Sequence, residues 1–169
     1  AAKDGYCGWL DLGAIGPDHA VTHRVIAPAT HLYASPSIKR REVGLLSFGS
    51  LLAIGAPDGR FAETHDGSFV ITAHLAPVAG HQSDPASVAE LFLGTPYLWG
   101  GNSRNGIDCS GLAQAALLAC GIACPGDSDL QFQALGRPLT AAETPRRNDL
   151  YFWKGHVALA MDDHRIIHA

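Results

Sequence analysis

The chain has 169 residues, of which 47% are apolar and 17% charged, and its formal net charge is −4. This length and composition are ordinary for one or two small globular domains. The acidic balance and the absence of long basic runs argue against a nucleic-acid surface or a polybasic membrane patch. No apolar run reaches the roughly eighteen residues of a membrane span and no signal segment opens the chain, so we expect a soluble protein.

Two stretches near the start share one pattern: 4–17 reads DGYCGWLDLGAIGP and 66–77 reads DGSFVITAHLAP. Each has an Asp-Gly turn, a β-rich run and a small apolar turn closed by proline, which indicates the same terminal strand and turn in two related units. Between them, strand-length apolar runs are separated by turn residues, which is typical of a small β-barrel. Between the two stretches these runs occupy 22–27, 30–35, 45–55 and 60–64, and a further run at 68–72 lies within the second stretch.

The ends of these two units, at 4–10 and 66–70, resemble bacterial SH3-like domains. We therefore predict the C-terminal part of a first SH3-like domain over 1–17 and a second, complete one over 18–78. A Pro-, Gly- and polar-rich stretch follows, which predicts a linker at 79–84. Asp84 as N-cap and proline at the first helical position then predict a helix of about two turns.

The stretch 94–111, GTPYLWGGNSRNGIDCSG, delivers Cys109 to the start of a helix predicted over 110–120. Asp108 suits the N-cap of this helix, and Gly121 suits its end. Apolar residues at helical spacing give the helix one apolar face, formed by Leu112, Ala115, Ala116 and Ala119. A thiol in the first turn of a helix is favoured as thiolate by the helix dipole. A buried structural cysteine is the alternative, but a loop with four glycines between 94 and 106 indicates that the thiol is positioned for use.

Two other chemistries are disfavoured. The glycine-rich loop has neither a Gly-Lys-Ser/Thr ending nor a Gly-x-Gly-x-x-Gly pattern, so it does not match the usual phosphate-binding loops. Cys120 and Cys124 have no second ligand pair nearby, which argues against zinc.

The C-terminal part has strand-like runs at 149–153, 156–161 and 165–168. His156 opens the second run and His168 lies in the third. If these two strands pair as a hairpin, a three-residue loop places both imidazoles on one face at diagonal positions, within side-chain reach. A helical part that carries a cysteine is thus followed by a sheet that carries two histidines, which predicts an α+β domain over 85–169.

Four motifs together resemble the NlpC-type, papain-like cysteine peptidases of bacterial cell-wall peptides. They are GTPYLWGG at 94–101, DCSG at 108–111, GHVA at 155–158 and IHA at 167–169. The resemblance implies a papain-like catalytic domain. Tandem SH3-like units before such a domain resemble the subgroup that cleaves free muropeptides rather than the intact sacculus.

The resemblance implies Cys109 as nucleophile, His156 as general base and then acid, and His168 as the residue that orients His156. Helix position and strand parity point to the same roles. The resemblance also implies substrate-binding residues, with Asp108 pairing with a free peptide amine and Tyr6 closing that end of the pocket. The full set is Asp108, Ser110, Tyr97, Trp99, Ser128 and Tyr6.

The implied reaction is hydrolysis of the bond that joins the γ-carboxyl of D-glutamate to meso-diaminopimelate or lysine, in peptides with a free N-terminal L-Ala. The reaction proceeds through a thioester. The backbone N–H of Cys109 would hold the oxyanion, and the reaction needs no metal and no cofactor. The peptide is the expected partner, with no nucleic acid and no membrane. An amidase or acyltransferase using the same Cys–His–His site and a non-catalytic peptidoglycan-binding protein are the alternatives.

Free-peptide specificity predicts a cytoplasmic protein that recycles murein peptides, or a periplasmic or secreted one if a signal precedes this sequence. The family continues its sheet past the residue equivalent to His168, so we expect the catalytic domain to be truncated at its C-terminal end. We also expect the chain to begin inside the first SH3-like unit.

Overall fold

The computed structural model describes residues 6–55, 57 and 59–169. Contacts divide it into two units, which we call the N-terminal unit (Leu10–Gly80) and the C-terminal unit (His81–Ala169 together with 6–9). The division at Gly80 falls inside the predicted linker. The stretch 6–9, expected in the first SH3-like domain, groups instead with the C-terminal unit, and the rest of that prediction at 1–5 lies outside the described residues.

The described part of the N-terminal unit contains short strands in two antiparallel sheets, in the orders β4-β1-β7 and β3-β2-β6-β5. The strands are β1 (His23–Val25), β2 (Ala29–Tyr33), β3 (Glu42–Ser47), β4 (Leu51–Leu52), β5 (Phe61–Glu63), β6 (Phe69–Ile71) and β7 (Leu75–Pro77). A small apolar core of Ile54, Ala62 and Val70 packs with partly buried leucines. No closed barrel is detected among the described residues, so the SH3-like assignment is not confirmed.

Three local expectations for this unit are corrected. The run 45–55 is broken into β3 and β4, because Gly49 turns the chain between them with φ of 78°. The segment Leu75–Pro77 is a strand rather than a turn, since it pairs with β1. The strand expected at the start of the first repeat is not formed in its described residues, where only a 3₁₀ turn at Leu12–Ala14 is present, capped by Asp11.

In the C-terminal unit, helices precede an antiparallel sheet of order β10-β11-β12. This is a mixed α and β arrangement, and its elements follow the order that the sequence predicted. Its elements are α1 (Pro85–Glu90), β8 (Asn102–Ser103), β9 (Gly106–Ile107), α2 (Cys109–Ala119), α3 (Ser128–Ala134), β10 (Leu150–Trp153), β11 (His156–Ala160) and β12 (Ile166–Ile167). The helix α2 packs against α1, α3 and β11. It is therefore the central element of the unit.

The burial of α2 differs from the one-sided pattern expected. Ala113 and Leu117 are buried as well as Leu112 and Ala116, because neighbours cover several faces of the helix. Gly121 ends α2 with φ of 76°, and Ile122 N–H donates to the Leu117 carbonyl, closing a C-terminal cap.

The start of α1 is fixed by an ion pair and by a capping bond from outside the helix, since the Ala86 N–H donates to Asn148 Oδ1 at 2.8 Å. The Asp84 carboxylate accepts hydrogen bonds from Arg147 at 2.6 Å and from the Ser87 hydroxyl at 2.6 Å, and it makes no side-chain bond to the helix backbone. The Arg147 guanidinium holds the pKa of Asp84 well below its usual range, and the Ser87 hydroxyl adds to this. Arg147 also donates to the Met161 carbonyl at 2.8 Å, which ties α1 to the end of β11.

Candidate active site

The loop before α2 contains glycines because its backbone passes close to itself. A Cβ atom on Gly111 would lie 2.4 Å from the carbonyl oxygen of Gly101, and one on Gly101 would lie 2.5 Å from the carbonyl oxygen of Gly106. Real side chains do not tolerate such distances, so these positions need glycine. The close approach holds the first turn of α2, with Cys109 as its first residue, against the preceding loop.

Asp108 joins that loop to the helix. One carboxylate oxygen accepts from the Gly111 N–H at 2.7 Å and from the Ser110 hydroxyl at 3.0 Å, and the other accepts from the Gly100 N–H at 2.7 Å. The residue is only 7% exposed. Asp108 is thus the N-cap that the sequence predicted, and in addition it fixes the loop on both sides of Cys109.

The structure brings the two candidate histidines together. The strand register pairs Ala160 with Ile166, and Met161 N–H donates to the Arg165 carbonyl, which leaves a loop of 162–164. This is the odd-numbered loop expected from the sequence. His156 and His168 consequently share a face, with 3.2 Å between Nε2 of His156 and Nδ1 of His168.

This contact fixes which nitrogen of His156 is left for chemistry. With Nε2 directed to His168, Nδ1 is the nitrogen left to accept a proton, which requires the tautomer in which Nε2–H donates and His168 Nδ1 accepts. The same His168 nitrogen lies farther, at 3.4 Å, from the carbonyl oxygen of Ala169. Burial lowers the pKa of His156, and the neighbouring His168 lowers it further; both effects favour the neutral imidazole, the form that can accept a proton.

Cys109 lies at the start of α2, and α2 packs on β11, the strand that His156 opens. The thiol is buried and in no disulfide. Cys109 is thus contributed by α2, His156 by the neighbouring strand β11, and His168 by the residue that follows β12.

Two further residues of this region were missed by the sequence analysis. The Trp153 ring lies against His156, with 4.7 Å between ring centroids, because the two-residue turn at 154–155 pairs these positions across the hairpin. Gln131 is fully buried and its side-chain N–H donates to the Ser110 carbonyl at 3.0 Å, which fixes the first turn of α2 from α3. The two-residue hairpin turn could have predicted that Trp153 lies opposite His156, whereas no local sequence pattern predicted the role of Gln131.

A cavity of about 810 Å³, which we call the acidic cavity, lies beside the first turn of α2. Tyr6, Trp99, Asp108 and Ser110 all line it, so four predicted substrate-binding residues come together there. Asp127 adds a second carboxylate, and no Lys or Arg is among the described residues that line it. The cavity is therefore suited to a cationic group.

The other two predicted substrate-binding residues lie elsewhere. Ser128 lines a separate cavity, and Tyr97 is an exposed residue that bridges to Ile107 without lining either cavity. Within the described parts of the chain, no group of three or more His, Cys, Asp or Glu residues is arranged to hold a metal ion. No helix there is long and apolar enough to cross a membrane.

Comparison with known proteins gives concordant matches. Residues 94–169 match the model of the NlpC/P60 family. The chain is 32% identical over 181 residues to the gamma-D-glutamyl-L-lysine dipeptidyl-peptidase of Bacillus subtilis (strain 168), covering 98% of this chain and 60% of that protein. It is 27% identical over 200 residues to the protein of the same name from Bacillus cereus (strain ATCC 10987 / NRS 248), covering 99% and 57%.

Among solved structures, an NlpC/P60 family protein from Bacillus cereus ATCC 10987 superposes with a TM-score of 0.72 at 26% sequence identity, covering 87% of this chain and 53% of that one. The chain thus spans about 60% of the length of the curated relatives it matches.

Proposed function

Because residues 94–169 match the model of the NlpC/P60 family, we propose that this protein is a cysteine peptidase that cleaves the γ-D-glutamyl bond to a diamino acid in cell-wall peptides. The observation that carries the proposal is the 3.2 Å contact between His168 and His156, which opens the strand that packs against the Cys109 helix. This contact supports a Cys–His–His site, in which Cys109 would be the nucleophile, His156 the base and His168 the orienting group.

In the proposed reaction, Nδ1 of His156 takes the proton of the Cys109 thiol, and the thiolate attacks the γ-carbonyl carbon of the D-glutamyl residue. The backbone N–H of Cys109 at the start of α2 stabilises the oxyanion. His156 then gives its proton to the leaving amine, which departs as the diamino acid and leaves a thioester. Water, deprotonated by His156, cleaves the thioester, releases the dipeptide and restores the thiol.

In this proposal the acidic cavity determines specificity for the acyl part of the substrate, L-Ala-γ-D-Glu. Its carboxylates, Asp108 and Asp127, favour the ammonium of an unblocked N-terminal L-Ala, and Trp99 forms an aromatic wall. Tyr6 borders the same cavity from the stretch 6–9, so it would limit the length of peptide beyond that amine. The enzyme would therefore act on free peptides rather than on peptides attached to glycan, and we propose cytoplasmic peptide recycling as its setting.

The test is release of meso-diaminopimelate from L-Ala-γ-D-Glu-meso-diaminopimelate, followed by mass spectrometry. The wild-type protein should release it, Cys109→Ala should abolish release, and Cys120→Ala, which removes a thiol at the far end of the same helix, should retain it. Release that persists in Cys109→Ala would refute the proposal. Transfer of the L-Ala-γ-D-Glu group to an added amine in preference to water would replace it with an acyltransferase.

The free-amine requirement has its own test. N-acetylation of the substrate should lower kcat/KM by at least about tenfold, because the loss of a charge-assisted contact is worth that much. Equal rates for the free and acetylated peptides would show that the acidic cavity does not bind the amine.

A further inference from the structure

A second cavity, of about 370 Å³, lies between the start of α3 and the β10–β11 hairpin. We call it the hairpin cavity. Its lining residues are Ser128, Asp129, Phe132, Phe152, Trp153, Lys154 and Gly155. It shares no lining residue with the acidic cavity, although α3 lines both, with Leu130 in the acidic cavity and Ser128 and Asp129 in the hairpin cavity.

The hairpin cavity adjoins the proposed general base. Trp153 forms part of its wall and contacts the His156 ring at 4.7 Å between centroids, and Gly155, another lining residue, directly precedes that histidine. In a thiol peptidase the base donates its proton to the departing amine, so the leaving group must lie on the side of the base. The acidic cavity lies instead beside Asp108 and Ser110, which flank the nucleophile.

The walls of the hairpin cavity suit an aliphatic chain. Phe132 and Phe152 meet edge to face, with 5.5 Å between centroids, and Trp153 adds a third aromatic ring. Burial of methylene groups against such rings is favourable.

Two charges of opposite sign complete the lining. The Asp129 carboxylate and the Lys154 ammonium are both exposed, and in the described part of the chain no ion pair within 4.0 Å joins them. A carboxylate and an ammonium on one rim, above apolar walls, are complementary to a zwitterionic end group on a short aliphatic chain. Lysine ends in an ammonium alone, whereas meso-diaminopimelate ends in both an ammonium and a carboxylate.

We propose that the hairpin cavity binds the diamino acid that leaves, and that Asp129 and Lys154 select meso-diaminopimelate over lysine. This inference rests on the proposed function and extends it to the leaving group. Asp129 would bind the distal ammonium, which both diamino acids carry. Lys154 would bind the distal carboxylate, which only diaminopimelate carries.

The test compares kcat/KM for L-Ala-γ-D-Glu-meso-diaminopimelate and L-Ala-γ-D-Glu-L-Lys in the wild type, Lys154→Gln and Asp129→Asn. The wild type should prefer the diaminopimelate peptide by about tenfold, the worth of one charge-assisted contact. Lys154→Gln should remove this preference by slowing only that peptide, and Asp129→Asn should slow both. Lys39→Gln, an exposed lysine of the N-terminal unit, is the matched control and should change neither.

The possible failures are distinct. If the wild type cleaves both peptides and Lys154→Gln leaves their ratio unchanged, the inference is wrong while the proposed function stands. If the wild type cleaves neither peptide, both are wrong. Product inhibition gives an independent readout, because free meso-diaminopimelate should inhibit the wild type more strongly than L-lysine, and Lys154→Gln should abolish that difference.

Discussion

Replacing Asp108 by alanine should separate the structural role of this carboxylate from its proposed role in recognition. The substitution removes the acceptor for two backbone N–H groups, of Gly100 and Gly111, and for the Ser110 hydroxyl. The hydroxyl can turn to another partner, but the two backbone donors are left in a site where Asp108 itself is only 7% exposed. At about 1–3 kcal/mol for the buried Gly111 donor, and less for the donor of the exposed Gly100, we expect the free energy of unfolding to fall by about 2–4 kcal/mol.

Urea unfolding followed by tryptophan fluorescence measures this loss, because Trp9, Trp99 and Trp153 all belong to the C-terminal unit. Asp11→Ala is the matched control. Asp11 also caps a helical turn, but it is exposed and accepts a single N–H at 2.8 Å, so its loss should cost about 1 kcal/mol or less, in the N-terminal unit.

A fall below about 1 kcal/mol for Asp108→Ala would refute this account of the loop. Asp108→Asn should be intermediate in stability, because the amide oxygen still accepts one N–H, yet it should lose the preference for a free peptide amine as completely as alanine does. Retention of that preference in the asparagine variant would show that the charge is not what binds the amine.

Three other substitutions have predictable effects on stability, turnover or the pH profile. Gly111→Ala should cost about 1–3 kcal/mol of unfolding free energy and most of the turnover, while Gly16→Ala, with no atom within 4 Å of its Cβ, should be tolerated. His168→Ala should raise the pKa of His156 and move the acid limb of the kcat/KM profile to higher pH, and an unmoved limb would contradict the pairing. Asp84→Asn should lower the Tm at neutral pH. Because the folded-state pKa of that carboxyl is depressed, the difference from wild type should shrink below the unfolded value of about 3.9; a pH-independent difference would argue against the ion pair.

The geometry of the histidine pair could be predicted from the sequence because strand register follows a simple parity. An odd loop of 162–164 leaves diagonal positions on one face, and the observed register of β11 and β12 has this loop. The start and end of α2 were also predictable, since Asp108 and Gly121 are strong local signals. These features depend on residues close together in the chain.

Features that depend on distant contacts were not predictable in the same way. Gln131 is a polar residue without a local motif, and its role follows only from the packing of α3 on α2. The one-sided burial expected for α2 was wrong because four elements, α1, α3, β8 and β11, contact it. The repeat of 4–17 and 66–77 predicted equal strands, yet only the second copy forms one in the described residues, where β5 is available to pair with it.

We infer that Cys109 and His156 act as a nucleophile and its base, and the rate of Cys109 alkylation by iodoacetamide at pH 6.5 tests this claim. Peptide mapping by mass spectrometry resolves each thiol, and Cys120 serves as an internal reference because burial raises its pKa. We predict that Cys109 reacts at least about tenfold faster than Cys120, and that His156→Ala removes this advantage. Equal rates for the two thiols, or a Cys109 rate unchanged by His156→Ala, would contradict the claim.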